Sequence, residues 1–248
     1  IAICLMRSES CYRLHWDELA LHKDKALPII RIGLPAGLQS SIFAISNVVI
    51  QSSINSFGSI AMAGSAAAAN IEGFVYVSMN SVAQASLSFA SQNIGARRYE
   101  RISKISRTCL LLAALFGLVL GNGVYLLHDT FLRFYSPDPA VIEAGALRLS
   151  VICTTYFLCG LMDTLACILR AMGKSLLPMV VTIIGACGLR VLWIYTVFPL
   201  DRTFFTLFLS YPITWGVTAA VHAVRYFFTK RTMLRRAQAS APSEASST

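Results

Sequence analysis

Charged residues vanish from this chain for long intervals and return in clusters. No Lys, Arg, Asp or Glu occurs between Arg31 and Glu72, between Glu72 and Arg97, between Arg107 and Asp129, or between Arg202 and Arg225. A helix needs about 20 mostly apolar residues to cross hydrocarbon, so several of these gaps hold one span and the first is long enough to begin a second. The pattern predicts six spans, at Ile29–Ile54, Ala61–Gln92, Thr108–Leu127, Val141–Ala171, Leu176–Phe198 and Phe204–Phe228. Breakers separate them: the uncharged turn Asn55–Ser59, Gly95, the pair Pro137 and Pro139, Gly173-Lys174-Ser175, and Pro199–Arg202. The expected fold class is all-α, a polytopic bundle of six transmembrane helices over residues 29–228. Pro35 falls in the first turns of the first span, where it is expected to kink the helix. Residues 1–28 read as a cytoplasmic linker, with Ile1–Met6 the tail of an earlier span, and residues 229–248 as a basic, then disordered, cytoplasmic tail. The chain starts at Ile1 and shows no cleavable signal, so it reads as part of a longer frame.

Composition agrees with the spans and excludes other classes. Hydrophobic residues make up 56% of the chain and charged ones 13%, against about 25% charged in a soluble domain. The net charge of +9 does not indicate a nucleic-acid partner, because the basic residues form short groups between apolar stretches and not one face of a polar domain. Those groups alternate. Arg7, Arg13, Lys23, Lys25 and Arg31, then Arg97, Arg98, Arg101, Lys104 and Arg107, then Arg170 and Lys174, and finally Arg225, Lys230, Arg231, Arg235 and Arg236 fall at one set of span ends. The opposite loops hold only Arg133 and Arg202, with Arg148 near one of them. Since basic loops stay inside, both termini are expected in the cytoplasm and the protein in the plasma membrane, the inner membrane of a bacterium.

Five of the seven cysteines (Cys109, Cys153, Cys159, Cys167 and Cys187) lie in apolar stretches as small hydrophobes, Cys4 and Cys11 stand alone, and there is no CxxC. His15, His22, His128 and His222 are placed in loops or near helix ends, without HExxH. No Walker loop, dinucleotide turn or GxSxG elbow occurs, so the reading is a non-enzyme without a cofactor.

Chemistry is sought where the sequence accepts an ionisable group at membrane depth, which costs at least about 2.5–3.5 kcal/mol and usually requires a cavity or a partner. Three residues meet the criterion: Glu72, Asp163 and Arg190. Asp163 precedes Arg170, which marks the end of its span, by seven residues, placing it roughly 10 Å inside. A carboxylate there suits a proton- or sodium-coupled carrier, with a bound Na⁺ as one form of the site; a structural ion pair is the plainer alternative. Glu72 and Arg190 both fall in the outer halves of their spans, which permits a Glu72–Arg190 pair acting as glue or gate, or a coupling role for Glu72. Uncharged polar residues form stripes at helical spacing. On the first span these are Ser40, Asn47 and Gln51, with Gln39 adjoining; on the second, Glu72, Tyr76, Asn80, Gln84 and Ser88. Such stripes line a water-filled cavity or bond packed helices together. Gly33/Gly37 and Gly117/Gly121 are both GxxxG, a close-packing pattern.

Ile32-Gly33-Leu34-Pro35-Ala36-Gly37-Leu38-Gln39 opening one span, and Gln92-Asn93-Ile94-Gly95-Ala96-Arg97-Arg98 closing the next, resemble the C-terminal half of the multidrug and toxic compound extrusion (MATE) family. Met162-Asp163 followed by Leu169-Arg170-Ala171-Met172-Gly173 resembles the fourth helix of that half, whose aspartate is implicated in cation coupling in some members. The resemblance covers Arg31 to Arg231. It implies a twelve-helix exporter of two six-helix lobes, moving small, often cationic amphiphilic substrates through a central cavity against inward Na⁺ or H⁺, with Asp163 as the coupling position. It also implies a missing N-terminal six-helix lobe, since alternating access needs two bundles around a shared site. Two departures are visible: Arg31 to Gly58 contains no carboxylate where some members have one, and Ser91 stands where the motif commonly has Gly. Alternatives are a lipid-linked oligosaccharide flippase of the same superfamily and a non-transporting membrane fragment.

Overall fold

A computed structural model describes residues 22–239 together with Met6, Arg13 and Ala20, the side chains of residues 28, 32 and 236–239 excepted. Among the described residues every regular element is helical. In chain order these are α1 (Lys23–Asn55), α2 (Ser59–Gly95), a 3₁₀ turn (Tyr99–Arg101), α3 (Ile102–Leu126), the short α4 (His128–Arg133), α5 (Pro139–Ala171), α6 (Leu176–Thr182), a π-helical segment (Ile183–Gly188), α7 (Leu189–Thr196) and α8 (Phe204–Ala239). Six helical stretches are long and apolar enough to cross a membrane, with α6, the π segment and α7 forming one of them. The chain is a polytopic all-α membrane protein. Its backbone polar groups are paired within each span, as hydrocarbon requires. Residues 1–5 of the expected Ile1–Met6 span remnant, with Cys4 among them, Cys11 and the tail beyond Ala239 lie outside the described residues.

The chain divides into two compact units, residues 1–34 and residues 35–248. In the first, the described helix is the opening of α1, where Lys25 pairs with Asp24 at 3.4 Å on the surface. The second unit holds the helical bundle. Its hub is α5, two-thirds buried along its apolar stretch, which packs against α2, α3 and α8. Asp138 starts this helix by accepting a hydrogen bond from the Ala140 N–H at 2.9 Å, with Pro139 at the first helical position. Small residues let the helices approach. Gly64 of α2 faces Gly145 of α5, and Gly117 and Gly121 of α3 lie against the backbone of Phe157 and Cys153, leaving no room for a Cβ at any of the four. In water-free surroundings such close packing supplies the cohesion that the hydrophobic effect supplies elsewhere. The other GxxxG behaves differently: a Cβ on Gly33 or Gly37 would meet open space.

Several boundaries differ from the hydrophobicity pattern. Helix α1 begins at Lys23 and not Ile29, the third span begins at the Tyr99–Arg101 turn and not Thr108, and α8 continues to Ala239 past Phe228. Apolarity marks only the part of a helix immersed in hydrocarbon. The flanking Thr229–Ala239 holds three Arg, two Ala, Lys230, Met233, Leu234 and Gln238, good helix formers that extend the helix without any apolar run. The loop expected over His128–Pro139 contains α4, whose surface Arg133–Asp129 pair spans one turn at 3.1 Å. The fifth span is interrupted by the π segment, a feature no hydrophobic count detects.

Candidate functional site

Five helices converge on a cavity of about 570 Å³. Helix α1 contributes Gln39, Ser40, Asn47 and Gln51; α2 contributes Glu72 and Tyr76; α5 contributes Arg148, Tyr156, Cys159 and Asp163; α6 contributes Thr182, and α8 contributes Tyr211 and Trp215. One wall is aromatic. Tyr156 stacks on Trp215 at 5.3 Å between centroids, and Trp215 meets Tyr211 edge-on at 5.4 Å. Such faces accept flat apolar bodies and cations alike.

The cavity holds two carboxylates in different surroundings. Glu72 is buried, and both of its oxygens accept from Arg148, Oε1 from Nε at 2.8 Å and Oε2 from Nη2 at 2.9 Å. Arg148 Nη1 donates to Ser65 Oγ at 2.6 Å, and its guanidinium lies 5.3 Å from the Phe208 ring centroid. This is a fork-to-fork pair, the strongest arrangement these groups make. Asp163 is partly open to the cavity, and among the described residues no basic side chain lies within ion-pair distance of it. Arg170, two turns further along α5, instead donates to Gln39 Oε1 at 2.7 Å. Glu72 is neutralised by its arginine, whereas Asp163 has no ion-pair partner among the described residues. Gln39, Asn47 and Thr182 line the same cavity, with Gln39 Oε1 engaged by Arg170 and Thr182 Oγ1 by His222.

The expected Glu72–Arg190 pair does not form. Glu72 is taken by Arg148, which the charge pattern had grouped with the loop residues. Arg148 stands ten residues beyond the Asp138 cap, which is about 15 Å along a helix axis and well inside the span. Arg190 is wholly buried behind the cavity wall, 4.0 Å from the Tyr211 ring centroid and 5.6 Å from that of Phe43. Its Nη2 donates to Thr214 Oγ1 at 3.4 Å, while Nε and Nη1 have no hydrogen-bond partner among the described residues. The polar stripe on α2 also divides. Glu72 and Tyr76 line the cavity, but Asn80 and Gln84 do not: Gln84 is exposed and bonds Asn80 at 3.5 Å on the helix's own surface. The stripe drifts around the axis, and by its second turn has left the cavity. On α1, Gln51 bonds Asn55 at 3.0 Å and Ser40 turns back to the Ala36 carbonyl at 3.1 Å. Pro35 is buried within α1 and does not line the cavity. His222, expected near a helix end, is buried in the middle of α8, 3.1 Å from Thr182 Oγ1. The aromatic wall was missed because Tyr156, Tyr211 and Trp215 look like ordinary core residues in an apolar run.

The MatE family pattern matches residues 35–196, well over half of the chain and most of the elements that build this cavity. The chain belongs to the MatE family. Its similarity to the probable multidrug resistance protein YoeA of Bacillus subtilis is 25% identity over 173 residues, covering 70% of this chain and 37% of that protein. To the probable multidrug resistance protein NorM of Thermotoga maritima it is 24% over 157 residues, covering 63% and 34%. A solved outward-facing multidrug resistance MATE family transporter shares the fold with a TM-score of 0.83 at 16% identity, over 94% of this chain and 53% of the other. This MatE chain therefore corresponds to about half of that structure and to a little over a third of those two relatives.

Proposed function

We propose that this chain is the C-terminal six-helix lobe of a MATE-type exporter, which carries small, amphiphilic, predominantly cationic organic molecules out of the cell in exchange for inward Na⁺ or H⁺. One observation carries the reading: of the two carboxylates at the cavity, Glu72 is neutralised by Arg148, and Asp163 is left as an unpaired negative charge facing the open space. An unpaired carboxylate at membrane depth favours whichever cation reaches it, so substrate and coupling ion compete for one charge, which is the requirement for exchange. Tyr156, Tyr211 and Trp215 supply the face for the substrate's aromatic body. Glu72 and Arg148 hold α2 to α5 and leave the coupling role to Asp163.

Transport by rocking requires a second lobe, so an N-terminal six-helix partner completes the machine. The sparse opposite loops lose Arg148, which is buried at depth, so only Arg133 and Arg202 remain there. That sharper asymmetry supports cytoplasmic termini in the plasma membrane. The names of the relatives, both probable multidrug resistance proteins, support the substrate class. A lipid-linked oligosaccharide carrier would favour a basic cavity, and here the cavity's one lining arginine is already paired. The test is Asp163→Asn in the complete transporter, reconstituted in vesicles with imposed Na⁺ or proton gradients. Substrate-driven ion exchange should disappear at unchanged protein yield; efflux equal to wild type overturns the assignment.

A further inference from the structure

A second cavity lies apart from the first, in a groove of about 610 Å³. Helices α3 and α8 each pack on α5 but not on each other, so they wall a trough whose floor is Leu161 and Leu165 of α5. The Tyr99–Arg101 turn touches α8 and bounds the trough at the end where the basic loops gather. Along its length the lining is apolar, with Leu110, Ala220, Ala223 and Phe227. Its polar groups lie toward one end of the trough, chiefly Arg107 and Ser106 near the start of α3 and Lys230 in the last third of α8.

Among the described residues, no carboxylate pairs with Arg107 or Lys230. Arg107 spends only its Nε, on the Ser103 carbonyl at 3.4 Å, and Lys230 Nζ lies 5.8 Å from the Tyr226 ring centroid. Ser106 is 1% exposed and its Oγ has no hydrogen-bond partner among the described residues. A helical serine in hydrocarbon normally turns its hydroxyl to the carbonyl one turn back, as Ser40, Ser41, Ser78 and Ser81 do here. Ser106 Oγ is closed off from the groove, so the head of the site is formed by Arg107 and Lys230, two unneutralised cations above an apolar trough that suit an anion.

We propose that the α3–α5–α8 groove binds an anionic phospholipid. Its phosphate is held by Arg107 and Lys230, and one acyl chain lies along Leu110, Leu165 and Phe227. Basic pockets between membrane helices at the basic face suit such headgroups. Free phosphate satisfies the head of the site and leaves the apolar trough unfilled, while a cationic amphiphile is repelled by both basic residues. The site is independent of Asp163 and of the transport reading.

The test is lipid retention by purified protein in mild detergent, followed by native mass spectrometry with palmitoyl-oleoyl phosphatidylglycerol and with phosphatidylcholine bearing the same chains. Phosphatidylglycerol should bind preferentially. Arg107→Ala and Lys230→Ala should each weaken it about fivefold, and the pair about thirtyfold. Ala220→Trp, which fills the trough without altering charge, should also weaken it, whereas Arg97→Ala with Arg98→Ala should leave it unchanged. The double variant should unfold at the wild-type temperature in lipid-free detergent. Equal retention of phosphatidylcholine, retention untouched by the Arg107/Lys230 pair, or displacement of the lipid by equimolar inorganic phosphate overturns the proposal.

Discussion

Arg148 of α5 grips both carboxylate oxygens of Glu72 on α2, 76 residues earlier in the chain, at 2.8 and 2.9 Å. The pair joins the hub helix to its largest neighbour at the edge of the main cavity. With Ser65 on the third donor, most of the guanidinium's hydrogen-bonding capacity is used. Two charges at this depth are tolerated because each is the other's solvent.

Breaking the pair from one side should therefore be far worse than removing it whole. Glu72→Gln or Arg148→Met leaves one buried charge uncompensated, a loss of about 3–5 kcal/mol. The double replacement Glu72→Leu with Arg148→Met should recover most of it, because an apolar contact of similar volume is often as stable as the buried pair. Thermal unfolding of the purified variants in detergent checks this. Single variants that melt with wild type would show that the pair holds nothing together.

Asp163 should behave in the opposite way. It has no ion-pair partner among the described residues, so Asp163→Asn removes a charge that hydrocarbon disfavours and orphans no other group. Unfolding temperature should hold or rise, while the exchange proposed above should be lost. A stability loss comparable to that of Glu72→Gln would mean that Asp163 is a structural carboxylate.

Arg190 presents a closer balance. It gains cation–π contact from Tyr211, worth about 2 kcal/mol when desolvated. Against this stand two buried nitrogens, Nε and Nη1, without partners among the described residues, each costing about 1–3 kcal/mol. The unmet donors outweigh the ring, so Arg190→Met should match or exceed wild type in thermal stability. A clear drop in unfolding temperature would show that the rings and Thr214 outweigh the unmet donors.

How far these distinctions were legible in the sequence follows from what each signal measures. Charge-free gaps marked the first, second, third and sixth spans, and apolar runs between breakers marked the fourth and fifth, because exclusion of charge from hydrocarbon is a local rule. Asp163 and Glu72 stood out by the same rule, as single carboxylates in apolar runs. Arg148 escaped because it lay near two other charged residues of its span's outer end, and closeness in sequence resembled closeness to the loop. Its partner is 76 residues away, and only packing brings them together. The two GxxxG pairs look alike as strings, yet Gly117/Gly121 meet the α5 backbone and Gly33/Gly37 meet nothing, a difference that depends on which helix lies opposite.

That difference makes the last prediction. A Cβ on Gly121 would collide with the Cys153 carbonyl oxygen, and one on Gly117 would stand 2.5 Å from Phe157 Cα. Both obstacles are backbone atoms of the hub helix, which cannot rotate aside. Gly121→Ala should therefore force α3 away from α5 and lower stability by about 1–3 kcal/mol or more, as overpacking does. Gly37→Ala, with open space around its Cβ and a better helix former in place of glycine, should be neutral within about 0.5 kcal/mol or slightly stabilising. Paired thermal unfolding of the two variants decides the matter: equal effects would mean that glycine is kept at these positions for helix flexibility and not for the contact between α3 and α5.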